Sequence, residues 1–347
     1  MNKLKIAAIG DQFITSSVFE SAIEKHIDQP VEVLKRDLDW PEVPFFAHDG
    51  PAGKEIKEYS GSPTDIADML ADADALVTHL APVTGELLCS SPRLKFVGVP
   101  RGGPVNVNIE AARKNGVTIC NLPGRNASAV AEFTLGMILA NLRRIGLGHV
   151  GLKQGVWRGD LYRYDRTGDE LCDLTIGIVG YSHIGQRVVR LLKAFGCKIL
   201  VCDPFVGLTV QDALDGVQQV DLDEMLTRID ILTLHARLTP ETHNMISYEQ
   251  IAMMRPGAVI VNSARGELIN QTALVEALSN GHLGGAALDT YETEPPPQND
   301  ELLALPNVTL TPHIAGASKR VANFAAEQVV MDYGRMLRGE ALHHEFK

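Results

Sequence analysis

Four side chains in the second half of the chain are of types that together hold an acid and move a proton. Arg265 follows the apolar run 258–262, Asp289 ends the run 285–289, Glu294 lies five residues further on, and His313 follows the run 308–312. Each run reads as a buried strand, so all four fall at strand ends. Arginine offers a planar fork of donors that matches a carboxylate. Histidine titrates near neutrality and serves as acid or base. A carboxylate beside it raises its pKa and favours the imidazolium.

A redox partner for that set is written into residues 174–203, LTIGIVGYSHIGQRVVRLLKAFGCKILVCD. An apolar run over 174–179 is followed by Gly180 and Gly185. Ile184, Val188, Leu191, Leu192 and Phe195 then recur at helical spacing, and a second apolar run over 198–202 ends in Asp203. Strand, glycine turn, helix, strand and acid make a dinucleotide-binding unit. Gly180 permits the tight turn and Gly185 lets the helix pack on the strand. The helix N-terminus presents free N–H groups to a pyrophosphate. Ser182 stands where the fingerprint has its middle glycine; it is small, and its hydroxyl can donate to a phosphate. Asp203 is placed to accept from a ribose 2′-hydroxyl and would repel a 2′-phosphate, so NAD is expected over NADP.

Bulk properties narrow the class. The 347 residues carry a net charge of −11, with 45% hydrophobic and 22% charged residues, the profile of a globular protein of two domains. The negative charge argues against nucleic acid or an anionic membrane as partner. No apolar run approaches the roughly 20 residues of a membrane span. The N-terminus reads as a strand and not as a signal peptide. Cys89, Cys120, Cys172, Cys197 and Cys202 show no C-x-x-C spacing and the histidines no H-x-x-x-H pair. Reduced thiols, a cytoplasmic setting and no metal are therefore expected.

The elements that must position these residues alternate along the chain. Strands are expected at 5–10, 31–34, 75–78, 94–99 and 117–120, with helices at 15–27 and 108–115; residues 39–62, rich in Pro and Gly, read as a loop. In the second half, strands are expected at 229–234, 258–262, 285–289 and 308–310. Such alternation implies parallel sheets covered on both faces. Residues 126–145 read as a long helix, apolar nearly all round, buried between the domains. Residues 146–173 read as a polar connection, and a dimer through 128–172 would occupy its aromatic side chains. Ser318 caps a last helix, and His343 and His344 read as a disordered tail. VTHLAPVTGEL in the first half echoes TLHARLTPET in the second, and each leads to an Arg-Gly pair, Arg101-Gly102 and Arg265-Gly266. The expected fold is α/β: two doubly wound parallel-sheet domains of Rossmann/flavodoxin-like type with a cleft between them. One is 1–125 plus 318–347 and binds substrate; the other, 126–317, binds NAD.

GIVGYSHIG, HARLTPET, VNSARGELIN, AALDTYETEP and TPHIAGAS occur in the order and spacing of the D-isomer-specific 2-hydroxyacid dehydrogenases, which the sequence resembles over nearly its whole length. The resemblance implies hydride transfer between NAD and a D-2-hydroxy acid or its 2-oxo acid, a small-molecule substrate. By family role, Arg265 holds the substrate carboxylate and carbonyl oxygen, His313 is the acid/base and Glu294 its partner. Asp289 faces the nicotinamide amide. His183 and Ile184 meet the pyrophosphate, Ala236, Ser263 and Ala264 line the cofactor, and the stretch 313–316, ending in Gly316, passes the nicotinamide. Arg101, Gly102 and Gly103 occupy the family's substrate-carboxylate loop.

The departures are Ser182, Arg237 at the usual proline after H-x, and the charge of Arg101. The last suggests an acid with a second anionic or polyol group. NAD-binding corepressors that bind peptides share the same motifs and form the rival reading. His79 and His235 read as structural.

Overall fold

A computed structural model describes residues 3–40 and 51–347, so residues 41–50 of the expected loop lie outside the described residues. The chain divides into two compact units: unit 1 is Met1–Asn126 with Ala317–Lys347, and unit 2 is Ala127–Gly316.

Unit 1 is built on five parallel strands, β1 (Leu4–Gly10), β2 (Val31–Asp37), β3 (Ala75–Thr78), β4 (Phe96–Val99) and β5 (Thr118–Asn121), in the order β2-β1-β3-β4-β5. Every residue of β3 and β4 is buried, as apolar strands covered on both faces require. Edge strand β2 has only half-buried and exposed positions. The helices Ser16–His26 and Lys319–Arg338 cover one face: Phe19 and Ile23 from the first and Ala325 and Val329 from the second are buried against Ile6, Val77 and Phe96. The long helix starts on Ser318, whose Oγ accepts from the Val321 N–H, and ends at Gly339 in the left-handed region.

The tail beyond that helix is ordered, contrary to the sequence expectation. Fully buried Asp332 accepts from the His343 N–H and pairs with His344 Nδ1 at 2.7 Å. Glu345 bridges Cys120 antiparallel to β5, and the Phe346 N–H donates to the Ile119 carbonyl. The tail thus covers an edge that would otherwise expose unpaired backbone groups.

Unit 2 has seven parallel strands: β6 (Thr175–Val179), β7 (Lys198–Cys202), β8 (Gln218–Gln219), β9 (Ile231–Leu234), β10 (Val259–Asn262), β11 (Gly285–Leu288) and β12 (Val308–Leu310). Their order is β12-β11-β10-β9-β6-β7-β8. Both sheets are doubly wound, with the strand order reversing at β1/β3 in unit 1 and at β6/β9 in unit 2. The helix Ala127–Leu142 packs on β10, β11 and β12 and on the helix Gly185–Lys193. Its two buried polar residues have partners: Asn141 donates to the Ala286 carbonyl and Thr134 pairs with Ser263.

The long helix expected over 126–145 stops at Leu142, because Arg144 takes a left-handed conformation (φ 55°). A second helix, Ile145–Lys153, then occupies part of the expected polar connection.

Candidate active site

The glycine turn after β6 is fixed by close approach. Gly180 has φ +92°, and a Cβ there would lie 2.7 Å from the His235 carbonyl carbon; one on Gly185 would lie 2.0 Å from the Gly180 oxygen. Both positions therefore exclude any side chain. The helix Gly185–Lys193 begins directly behind. Ser182 and His183 are exposed, Ile184 is half-buried, and their N–H groups have no acceptor among the described residues. That ring of open donors at a helix N-terminus fits a pyrophosphate.

Asp203 directly follows β7. It accepts from the Tyr181 N–H at 2.7 Å, the Phe205 N–H at 2.8 Å and the Val206 N–H at 3.0 Å. An ionised carboxylate has about four acceptor positions, so one remains for a ribose hydroxyl. Ala236 follows β9, where its N–H lies against the glycine turn. His235 is half-buried and bonds Thr233 through Nε2; desolvation of the ring holds its pKa down at about 3, so it stays neutral.

Arg265 stands at the end of β10 in a corner fastened by a residue that the motif reading passed over. Asn262 donates from Nδ2 to the Arg265 carbonyl at 2.8 Å and accepts from the Ala264 N–H at 3.0 Å. Gly266 must lack a side chain, since a Cβ would lie 1.9 Å from the Tyr291 carbonyl carbon. Ser263 is buried and Ala264 half-buried beneath the corner. The Arg265 side chain is exposed; its one internal bond runs from Nη1 to the Ala264 carbonyl, and among the described residues it has no carboxylate partner.

His313 and Glu294 are brought together, Nδ1 to Oε2 at 2.7 Å. The other Glu294 oxygen accepts from the Tyr291 N–H at 3.0 Å, so the carboxylate is held at both ends. The His313 pKa is raised, first by the hydrogen bond with Glu294, which outweighs burial, and then by the charges of Glu294 and Asp289. Burial alone would raise the Glu294 carboxyl; the hydrogen bonds from His313 and Tyr291, with the charges of His313 and Arg265, hold it below the usual range. With Nδ1 on Glu294, the half-exposed imidazole keeps Nε2 for a ligand. His313 itself has φ +53°, a left-handed conformation uncommon for a side chain with a Cβ.

Asp289 explains how that conformation is held. It is fully buried, accepting from Thr311 Oγ1 (2.6 Å) and from the N–H groups of Ile314 (2.9 Å) and Ala315 (2.8 Å). Its carboxylate thus clamps the turn on both sides of His313, with half-buried Gly316 next in line. Three donors already occupy the group to which the resemblance gives a nicotinamide contact. Thr311 and Asn262 were missed from the sequence because small polar residues at strand ends carry no motif of their own.

In unit 1, Gly102 and Gly103 have open space at their Cα atoms, and the Gly102 carbonyl accepts from Asn121. The Arg101 side chain is largely buried, 13% exposed, with its guanidinium on the Glu58 carboxylate and on the Glu58 carbonyl at 2.8 Å.

Residues 135–315 match the family described as D-isomer specific 2-hydroxyacid dehydrogenase, NAD binding domain. A D-3-phosphoglycerate dehydrogenase of Methanocaldococcus jannaschii is 41% identical over 279 residues, 80% of this chain and 52% of that protein. The chain thus spans about half the length of that relative. A glyoxylate reductase of Korarchaeum cryptofilum is 34% identical over 300 residues, 86% of this chain and 87% of that protein. Among solved structures, the TT0316 protein of Thermus thermophilus superposes with a TM-score of 0.77 at 28% identity, covering 99% of this chain and 100% of that one. The chain belongs to the D-isomer-specific 2-hydroxyacid dehydrogenase family. Its middle is the family's NAD-binding domain, and the open donors and side-chain-free cradle of the glycine turn fit that cofactor.

Proposed function

We propose that the protein is an NAD-dependent dehydrogenase that interconverts a D-2-hydroxy acid and its 2-oxo acid. The observation that carries this reading is the His313–Glu294 pair at 2.7 Å together with Arg265, an exposed guanidinium with no carboxylate partner among the described residues. All three stand beyond strand C-termini of the sheet that bears the glycine turn, the edge where open α/β sheets bind ligands.

NAD, held at the glycine turn and Asp203, would supply the hydride-transfer chemistry. Arg265 grips the substrate carboxylate and polarises the carbonyl oxygen, a two-point contact that lysine lacks. In reduction, cationic His313 delivers a proton from Nε2 to that oxygen; in oxidation, neutral His313 removes it. Glu294 accepts from Nδ1, fixes the ring and stabilises the imidazolium. Asp289 holds the His313 turn. Ser182, His183, Ile184 and Asp203 carry the pyrophosphate and ribose, while Ala236, Ser263, Ala264 and Gly316 line the cofactor. Gly102 and Gly103 offer backbone donors to the carboxylate; the Arg101 guanidinium is committed to Glu58, which argues against its reaching substrate as well.

The five cysteines are free thiols, which suit the cytoplasm. Exposed apolar side chains over 145–164, with Trp157 83% and Tyr164 99% exposed, suit a homodimer through 128–172. A monomer by light scattering at micromolar concentration would refute the dimer. NADH oxidation with a panel of 2-oxo acids, phosphorylated and sugar-derived acids included, tests the activity. Turnover of at least one such acid is expected, and NADH binding without turnover of any would instead support a peptide-binding role.

A further inference from the structure

Unit 1 contains a second set of ionisable side chains, also at a point where strand order reverses. β1 pairs with β2 on one side and β3 on the other. Asp11 directly follows β1, His79 directly follows β3, and Arg125 lies four residues past β5. Asp11 and His79 meet at 2.7 Å through Nδ1, and Arg125 Nη2 lies 3.2 Å from His79 Nε2.

This chain has one consistent proton arrangement. The arginine nitrogen can only donate, so Nε2 is the acceptor, Nδ1 carries the hydrogen, and Asp11 accepts it. Burial outweighs Asp11 and keeps His79 neutral. Asp11 is also occupied by the N–H groups of Phe13 and Ile14. Arg125 is thus a full cation oriented by a neutral ring, with the Phe13 face 5.9 Å from its central carbon. Its Nη1 is buried and has no acceptor among the described residues. Burial, with nearby Arg101, pushes the Arg125 pKa down to about 10, as expected of a guanidinium short of anionic partners. Arg101 has Glu58; among the described residues Arg125 has no carboxylate within ion-pair distance.

We propose that Arg125, oriented by the Asp11–His79 pair, is the anchor of an oxyanion-binding site in unit 1 that takes a carboxylate or phosphate group. Such an anion completes the guanidinium fork that the protein leaves open, with small local shifts admitting it to Nη1. Two sources share this chemistry, a free inorganic oxyanion and the second acidic group of an acid substrate. The latter rests on the dehydrogenase reading above.

The test titrates the whole protein with inorganic phosphate at constant ionic strength and follows the thermal midpoint. A saturable rise is expected in the unmodified protein and in Arg265→Gln, a smaller one in Arg125→Lys and none in Arg125→Gln. No rise in the unmodified protein, or an undiminished rise in Arg125→Gln, overturns the site. If Arg125→Gln does not fold, Arg125→Lys decides: it keeps the charge without the fork, and full phosphate stabilisation there overturns the proposal. Steady-state kinetics separates the sources. A KM increase of about tenfold or more for 2-oxo acids with a second anionic group, at unchanged kcat and unchanged KM for monoanionic acids, assigns the site to substrate. Loss of phosphate binding with both KM values unchanged assigns it to a free oxyanion. Absence of any NADH oxidation would count against the dehydrogenase reading, while the phosphate titration would still decide the site.

Discussion

In each unit a histidine beyond a strand C-terminus has its Nδ1 2.7 Å from a carboxylate, Asp11–His79 in unit 1 and Glu294–His313 in unit 2. The same contact shifts the two rings in opposite directions. The side chains of His79 and Asp11 are 6% and 0% exposed, and desolvation of the cation outweighs the carboxylate, so the pKa falls. Those of His313 and Glu294 are 45% and 13% exposed; water still reaches the ring, the hydrogen bond dominates, and the pKa rises. A carboxylate beside histidine therefore makes a proton donor only where the imidazolium keeps some solvation. One pair is suited to hold a neighbour in place, the other to exchange a proton.

Several substitutions break or sharpen that contrast. His313→Ala should lower kcat by roughly 10²–10⁴-fold while NADH still binds, as followed by fluorescence titration, because proton transfer is usually worth that much. A comparable kcat loss in His79→Gln would erase the distinction between the pairs. Arg265→Lys should lower kcat/KM about 100-fold, since the charge stays but the fork is lost. Asp203→Ala should weaken NADH about tenfold and relax discrimination against NADPH; equal use of both cofactors by the unmodified protein would contradict the role of Asp203.

The smallest effect is on stability against pH. The folded pKa of His79 lies below its unfolded value of about 6.5, so its contribution is full above that pH and declines as pH falls. That of His313 lies above, so its contribution is full below about pH 6.5 and is lost as pH rises through the folded value. Between pH 8 and 5, urea unfolding of His79→Gln should lose less stability on acidification than the unmodified protein, and His313→Ala should lose more. Slopes of the same sign in both variants would show that burial does not divide the pairs.

The contrast also shows what sequence could carry. Parallel strands read well because β3, β4, β9 and β10 are short apolar runs bounded by polar turns. Gly180 and Gly185 read well because backbone contact excludes a Cβ. The spacing that links Glu294 to His313 is local to one sheet edge. Arg101, by contrast, gave no sign that Glu58, 43 residues earlier in a stretch without periodicity, would take its charge. His79 gave no sign of Asp11 and Arg125, 68 and 46 residues away. The tail reads as disordered on composition, yet Asp332 and the open edge of β5 order it. Contacts made by single polar side chains across long separations leave no period to detect.

The proton exchange proposed for His313 and Glu294 is tested most directly by the pH dependence of kcat/KM for 2-oxo acid reduction in Glu294→Gln. On the proposed mechanism reduction needs cationic His313, so activity should fall as pH rises through the His313 pKa. Glutamine keeps much of the hydrogen bonding but removes the charge, which lowers that pKa. The alkaline limit of reduction should therefore move to lower pH, each unit corresponding to about 1.4 kcal/mol of lost imidazolium stabilisation. The acid limit of oxidation, which needs neutral His313, should move the same way. An alkaline limit that stays in place, in a protein whose His313→Ala variant is inactive, would contradict the assignment of Glu294 as the group that tunes the acid.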